Sequence, residues 1–359
     1  MSEVQSGLEG VVAFATEIAE PDKEGGALRY RGVDIEELVG KVPFEQVWGL
    51  LVDGTLEPGL PPAEPHPLTV RSGDPRVDVQ AALAALAPEW GFEPVIDITD
   101  EQARDQLARA SVMALSFVAQ SARGVGQPPV PQSEIDQADS IPARFLTRWR
   151  GEADPDQVKA IDAYWISAAE HGMNASTFTA RVITSTGADV AAALSGAVGA
   201  LSGPLHGGAP SRVLKMLDEV EAMGDAEKWV KQALDDGQRL MGFGHRVYRA
   251  EDPRARVLRR TSKEIGSHRF EVAEALENAA LAELKARRPD RVLATNVEFW
   301  SAVVLDHAQV PADLFTSMFT CARVAGWSAH ILEQKREARL IRPTAKYVGP
   351  GERPLSAVG

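Results

Sequence analysis

Cysteine is nearly absent from this chain, with one residue, Cys321, in 359. A single thiol excludes an internal disulfide framework and any cysteine-based zinc cluster, and it suits a reducing cytoplasm. Long apolar runs are also missing. The longest, Val190 to Leu201, is shorter than the roughly 20 residues that span a bilayer, and Gly196 and Gly199 interrupt it. The first ten residues carry Glu3 and Glu9 and have neither a basic start nor an apolar block, so no secretory signal is expected. Positive charge is in deficit: 38 Lys+Arg against 51 Asp+Glu give a net charge of −13. Such a chain is unsuited to coating DNA, RNA or an anionic membrane. What is present is ordinary for a folded protein, at 44% hydrophobic and 25% charged residues, which excludes wholesale disorder. The length allows about two domains and a sizeable core. A soluble cytoplasmic protein is expected.

The periodicity is helical nearly throughout. Thr99-Asp100-Glu101-Gln102 has capping-box spacing, and Leu107, Ala114, Leu115 and Val118 follow before Gly124 stops the helix. Val158, Ile161, Trp165 and Ala169 form a second stripe. Ser211 can cap a third helix, with Val213, Leu214, Leu217 and Val220 on one face. A fourth helix runs from about Ala226 to Asp236 and ends at Gly237, and a fifth begins after Pro311. Ala188 to Leu201 is apolar nearly all round and rich in small residues, which fits a central core helix or a subunit interface equally. Strand signals are few. Val12, Phe14, Thr16 and Ile18 alternate, and a turn over Pro21 to Gly26 leads to Leu28-Arg29-Tyr30, which predicts one small N-terminal hairpin. The proline-rich stretch from Glu57 to Gly73 reads as a loop, as does Gln127 to Pro131. The fold class is all-α.

Four stretches depart from helix-filling sequence: Glu170-His171-Gly172-Met173-Asn174-Ala175-Ser176-Thr177, Gly203-Pro204-Leu205-His206-Gly207-Gly208-Ala209, Met241 to Arg249 with Asp252-Pro253-Arg254, and Asn296-Val297-Glu298-Phe299-Trp300. Two of them set a histidine against glycines in a break between helices, where a ligand can approach the main chain. A lone His beside Gly is more often a structural loop residue. Gly242-Phe243-Gly244 follows no strand, which argues against a dinucleotide loop. His171, His206, His245 and Glu298 match no standard metal spacing, so no metal is expected. From Arg239 to Arg260 seven arginines (239, 246, 249, 254, 256, 259 and 260) face Glu251 and Asp252, a local excess of five. A solvated helix face accounts for Arg256, Arg259 and Arg260. It accounts less well for Arg246, Arg249 and Arg254, which flank the Gly-His loop. The planar guanidinium fork suits carboxylate and phosphate, so a small polyanion is a plausible ligand. Nucleic acid is disfavoured by the lack of interleaved aromatics.

Taken together, these stretches resemble the citrate synthase family. Gly7-Leu8-Glu9-Gly10-Val11, Leu28 to Leu38, the four stretches above, Ala322-Arg323-Val324-Ala325-Gly326-Trp327-Ser328-Ala329-His330 and Ile341-Arg342-Pro343 fall in the family's order. The similarity covers essentially the whole chain and is thinnest from Leu56 to Trp90. The length resembles that of the short, dimeric bacterial and archaeal members.

The resemblance implies an all-α, two-domain fold with a large domain from 1–207 and 311–359 and a small closing domain from 208–310. It implies condensation of acetyl-CoA with oxaloacetate, followed by hydrolysis of citryl-CoA, by a homodimer without a resident cofactor. The catalytic positions would be Glu298 as base, His206 as donor to the thioester oxygen, and His245 as acid at the keto group. His171, Arg254, Arg323 and Arg342 would hold oxaloacetate, Arg342 reaching across from the partner subunit. Gly242, Phe243, Gly244, Arg246 and Arg249 would meet CoA. One position departs from the pattern: the family's Asn-Val-Asp-Phe is Asn-Val-Glu-Phe here, and about 1 Å of displacement in a reacting group can cost on the order of a hundredfold in rate. The alternatives are 2-methylcitrate synthase, which uses propionyl-CoA on the same scaffold, and a non-catalytic paralogue that binds CoA or oxaloacetate.

Overall fold

Thr99 and Gln102 close a reciprocal capping box, each side chain accepting the other's backbone N–H, and Gly124 ends that helix at φ +77°. The computed structural model describes residues 4–358 apart from Glu9, Lys23, Gly25, 207–209, 245–250 and Val292. His245, Arg246 and Arg249 therefore lie outside the described residues. Among those described, fourteen α-helices carry most of the chain: α1 (Phe44–Asp53), α2 (Pro75–Trp90), α3 (Asp100–Arg123), α4 (Gln132–Ile135), α5 (Ile141–Arg150), α6 (Pro155–Ala168), α7 (Ala175–Ser185), α8 (Val190–Leu201), α9 (Pro210–Met223), α10 (Ala226–Asp235), α11 (Pro253–Glu264), α12 (Phe270–Arg287), α13 (Val297–His307) and α14 (Phe315–Glu337). The segments 57–73 and 127–131 are loops, as their prolines require. α9 begins at Pro210, so Ser211 lies inside the helix rather than capping it.

The N-terminal sheet differs from the expected hairpin. It has three antiparallel strands, β1 (Ala19–Asp22), β2 (Ala27–Tyr30) and β3 (Val33–Asp34), with Ala19 opposite Tyr30 and Arg29 opposite Asp34. The alternating run before it pairs with no strand. Its side chains dock on helices instead: Phe14 packs near Phe178 and lies under the Arg181 guanidinium, and Thr16 donates to Glu333 Oε1 at 3.2 Å. Alternation alone could not reveal that no partner strand was available for this run.

α14 is the hub of one group of helices, packing against α1, α2, α3, α6, α7 and α8. α8 is largely buried in this group. A Cβ at Gly196 would lie 2.1 Å from Ile183 Cδ1, so the small residues let α7 approach closely. In a second group α9 packs on α12 and α13, α10 on α12, and α11 on α13. The two groups meet where α6 touches α11 and α13. No helix among the described residues is long and apolar enough to cross a membrane.

Candidate active site

Arg323 and His171 sit at the C-terminal end of α6, and α11 and α13, which carry Arg254 and Glu298, pack against the same helix. Two segments there are laced together. Gly244 N donates to Ala294 O at 2.7 Å, Asn296 N to Gly242 O at 2.9 Å, and Asn296 Nδ2 to Gly244 O at 2.9 Å. Gly242 is required twice over, because its φ is +85° and a Cβ would lie 2.8 Å from Phe299 Cβ. Phe243 is buried against the Phe299 ring, so its side chain belongs to the core. Its own N–H and C=O point away from the 294–296 segment, as the alternation of the antiparallel bridge between Phe243 and Thr295 dictates.

Asn296 also caps α13 by accepting Glu298 N at 3.0 Å. That places the half-buried Glu298 in the first helical turn. Burial raises its pKa above the ordinary glutamate value and Asp252 adds to the rise, while Arg254 and Arg239 oppose it. Asp252 caps α11 and grips Arg254 through Nε at 3.0 Å and Nη2 at 2.8 Å, both residues being buried.

His206 is anchored by the first turn of α7. Ser176 N donates to its Nε2 at 3.3 Å, so Nε2 accepts and the ring proton resides on Nδ1. The Ser176 hydroxyl lies 2.9 Å from Nε2 and 2.9 Å from Asn174 Oδ1, with one proton to divide between them, and it accepts from Trp327 Nε1 at 3.1 Å. Burial, aided by the charge of Arg323, pushes the His206 pKa down to about 4, so the imidazole is neutral at physiological pH.

Arg323 is fully enclosed on α14. Its Nε donates to Ala168 O at 3.0 Å, its guanidinium lies 4.7 Å from the centre of the Phe319 ring, and its Nη1 is buried without a partner. Phe319 also meets the His206 ring edge-on at 6.3 Å. The charge of Arg254 acts on both Glu298 and Arg323, which ties these groups into one electrostatic neighbourhood. His171 lies partly exposed on the turn between α6 and α7.

Arg342 is not brought to this cluster within one chain. It is exposed beyond α14, and Ile341 N donates to Ser185 Oγ at the far end of α7 from Ser176, about 14 Å along the helix. The excess positive charge read along the chain also changes in space. Arg256 and Arg260 share Glu36 at 2.6 and 2.5 Å, and Arg259 meets Glu251 and Glu277, each at 3.1 Å. Glu36 and Glu277, both outside the 239–260 window, join Glu251 in neutralising this helix face, while Arg254 and Arg323 are buried within the site. Among the described residues no group of three or more His, Cys, Asp or Glu is placed to hold a metal.

Sequence reasoning left Asp252, Ser176 and Asn296 without roles. Asp252 before Pro253 has the signature of an N-cap followed by proline at N1, and Asn296 has the signature of an N-cap. Those signals identify helix starts and do not say what the caps hold.

The chain is similar over nearly its whole length to known proteins. The citrate synthase C-terminal domain family model matches residues 7–344. A Mycobacterium tuberculosis (strain H37Rv) protein provisionally named citrate synthase 2 is 70% identical over 353 residues, covering 98% of this chain and 95% of its own length. The citrate synthase of Haloferax volcanii is 35% identical over 372 residues, covering 97% and 96%. The solved structure of the Thermoplasma acidophilum citrate synthase, a ternary complex with carboxymethyl coenzyme A and oxaloacetate, superposes with a TM-score of 0.82 at 29% identity, covering 99% of this chain and all of that one. The chain belongs to the citrate synthase family of acyltransferase enzymes.

Proposed function

We propose that the protein condenses acetyl-CoA with oxaloacetate and hydrolyses the resulting citryl-CoA to citrate and free CoA. The observation that carries this reading is one chain of neighbours: Asp252 grips Arg254 and holds Val297 beside the half-buried carboxylate Glu298, and the charge of Arg254 reaches the enclosed cation Arg323, whose guanidinium and the neutral imidazole of His206 share the Phe319 ring. Glu298 takes a proton from the acetyl methyl group. The Nδ1–H of His206 stabilises the oxygen on which negative charge develops. The methyl carbon then bonds to the keto carbon of oxaloacetate, and His245 supplies the proton that turns the keto oxygen into a hydroxyl. Water cleaves the thioester, releasing citrate and the CoA thiol.

Arg254 and Arg323 take substrate carboxylates, with His171 as a further donor. Gly242 to Gly244, Arg246 and Arg249 follow the CoA arm. No resident cofactor is needed, since acetyl-CoA is a substrate. In this reading residues 208–310 form a small domain that closes on the large one, 1–207 with 311–359. A cytoplasmic homodimer completes the site with Arg342 of a second copy. The tail beyond α14 supports this, because it is extended and exposes Leu340, Tyr347, Val348 and Leu355, which a second copy could cover.

The test is release of free thiol from acetyl-CoA that depends on oxaloacetate, measured on the purified protein. Binding without thiol release would overturn the reading in favour of a non-catalytic paralogue. The kcat/KM for propionyl-CoA, compared in the same assay, separates citrate from 2-methylcitrate formation, because one methylene is worth only about 1–3 kcal/mol in an apolar pocket.

A further inference from the structure

The turn between α6 and α7 carries His171, and one face of α14 holds the three residues before it. Arg323, Gly326 and His330 stand at i, i+3 and i+7, so they share that face. They meet consecutive residues of the α6 end. Arg323 Nε donates to Ala168 O at 3.0 Å, Gly326 N donates to Ala169 O at 3.1 Å, and His330 Nε2 lies 3.3 Å from Glu170 Oε1. Gly326 permits the approach, because a Cβ there would lie 2.6 Å from Ala169 O and 2.1 Å from Glu170 Oε2. The Tyr30 hydroxyl holds the backbone of the same residue, accepting from Glu170 N at 3.3 Å while donating to Ile166 O at 2.9 Å.

Glu170 and His330 are both fully buried. Neither carboxylate oxygen has an aligned hydrogen bond, so the contact with the ring is at ion-pair distance only. Arg181 sets the tautomer of that ring. Its Nη1 lies 3.1 Å from His330 Nδ1, and a guanidinium can only donate, so Nδ1 accepts and the ring proton is on Nε2, facing Glu170. Arg181 belongs to α7, the helix that follows the turn, and is itself fixed by Gln334 at 2.9 Å, Glu333 at 2.6 Å and Glu337 at 3.1 Å. His330 therefore touches a residue on each side of the turn, Glu170 before His171 and Arg181 after it.

We propose that His330 is a positioning residue for oxaloacetate binding: a neutral ring of fixed tautomer that bridges Glu170 and Arg181, sets the turn on which His171 stands, and acts on the substrate through His171. The proposal rests on the reading of His171 as an oxaloacetate donor. Without the bridge the backbone fastenings at Ala168 and Ala169 remain, but the residue adjoining His171 loses its side-chain anchor. The effect falls on oxaloacetate affinity and spares proton abstraction from the thioester.

The experiment is a double-mutant cycle of His330→Phe and His171→Ala, read by steady-state kinetics on the purified protein. Phenylalanine comes close to the shape of the ring and drops both nitrogens. His330→Phe should raise the KM for oxaloacetate by about tenfold, the equivalent of one hydrogen bond to a charged ligand, with kcat and the acetyl-CoA KM near wild type. His330→Gln, whose amide both donates and accepts, should return most of that loss. In the His171→Ala background, His330→Phe should add nothing further to the oxaloacetate KM. A full additional loss there would mark a merely structural role and overturn the proposal, as would an unchanged oxaloacetate KM in His330→Phe alone. If His330→Phe does not fold, Glu170→Gln, which removes the charge that the ring faces, carries the same cycle, and failure of both to fold counts against the proposal. An unchanged oxaloacetate KM in His171→Ala would overturn the reading of His171 and this proposal with it. A raised KM in His171→Ala with an independent effect of His330→Phe overturns this proposal alone.

Discussion

Val297 N donates to Asp252 Oδ2 at 3.0 Å, so the first turn of the helix carrying Glu298 is pinned to the carboxylate that grips Arg254. One buried side chain thus fixes both the proposed base and a proposed substrate cation. Asp252→Asn keeps an acceptor for Val297 N but removes the negative partner of a buried guanidinium. Breaking such a pair from one side costs up to about 3–5 kcal/mol. The variant should show a lower denaturant midpoint together with reduced thiol release. An unchanged midpoint would mean that the pair contributes little to stability.

Glu298 must be ionised to accept a proton, and burial raises its pKa. Activity should therefore rise with pH through a transition placed above the usual glutamate range. Glu298→Gln should lose roughly 10²–10⁴-fold in kcat, the usual contribution of a positioned base. The kcat/KM profile against pH checks both points. Full condensation by Glu298→Gln would remove the residue from the mechanism.

His206 owes its orientation to Ser176, through a backbone N–H at 3.3 Å and a hydroxyl at 2.9 Å. Ser176→Ala keeps the first contact and loses the second, along with the acceptor for Trp327 Nε1. We expect kcat to fall by about tenfold, the equivalent of one hydrogen bond of roughly 1.4 kcal/mol. KM for oxaloacetate should change little, because the carboxylate-binding arginines are untouched. Steady-state kinetics with each substrate varied in turn would show it, and a raised oxaloacetate KM with normal kcat would contradict it.

Local signals were legible wherever one element suffices to define them. The capping box at Thr99 and the stop at Gly124 stand where the residues place them. The all-α class was legible from periodicity, and motif resemblance singled out Glu298, His206, Arg254 and Arg323 as candidates. Long-range pairings were not. Glu36 lies more than 200 positions from the arginines it neutralises, so a charge sum along the chain overstated the positive patch. The N-terminal run shows the same limit, because Phe14 and Thr16 alternate as in a strand yet dock on α7 and α14.

Asp162 supplies a pH-dependent stability that is separate from the chemistry. Its Oδ1 accepts Phe44 N at 2.8 Å, so this α6 side chain caps α1, whose own N-cap position is Pro43. Burial pushes the Asp162 pKa up to about 7, with Glu45 adding to the rise and the Phe44 hydrogen bond opposing it. The folded-state pKa thus lies above the unfolded value of about 3.9, and the folded protein binds the extra proton in between. Stability is therefore fully present below about pH 4 and is lost as pH rises toward 7. Part of the Asp162 surface remains open to solvent, which limits the effect to on the order of 1 kcal/mol. Asp162→Asn keeps an acceptor for Phe44 N and cannot ionise. Its melting temperature should match wild type near pH 4 and exceed it at pH 8. Parallel melting curves for the two proteins across that range would exclude Asp162 as the titrating group.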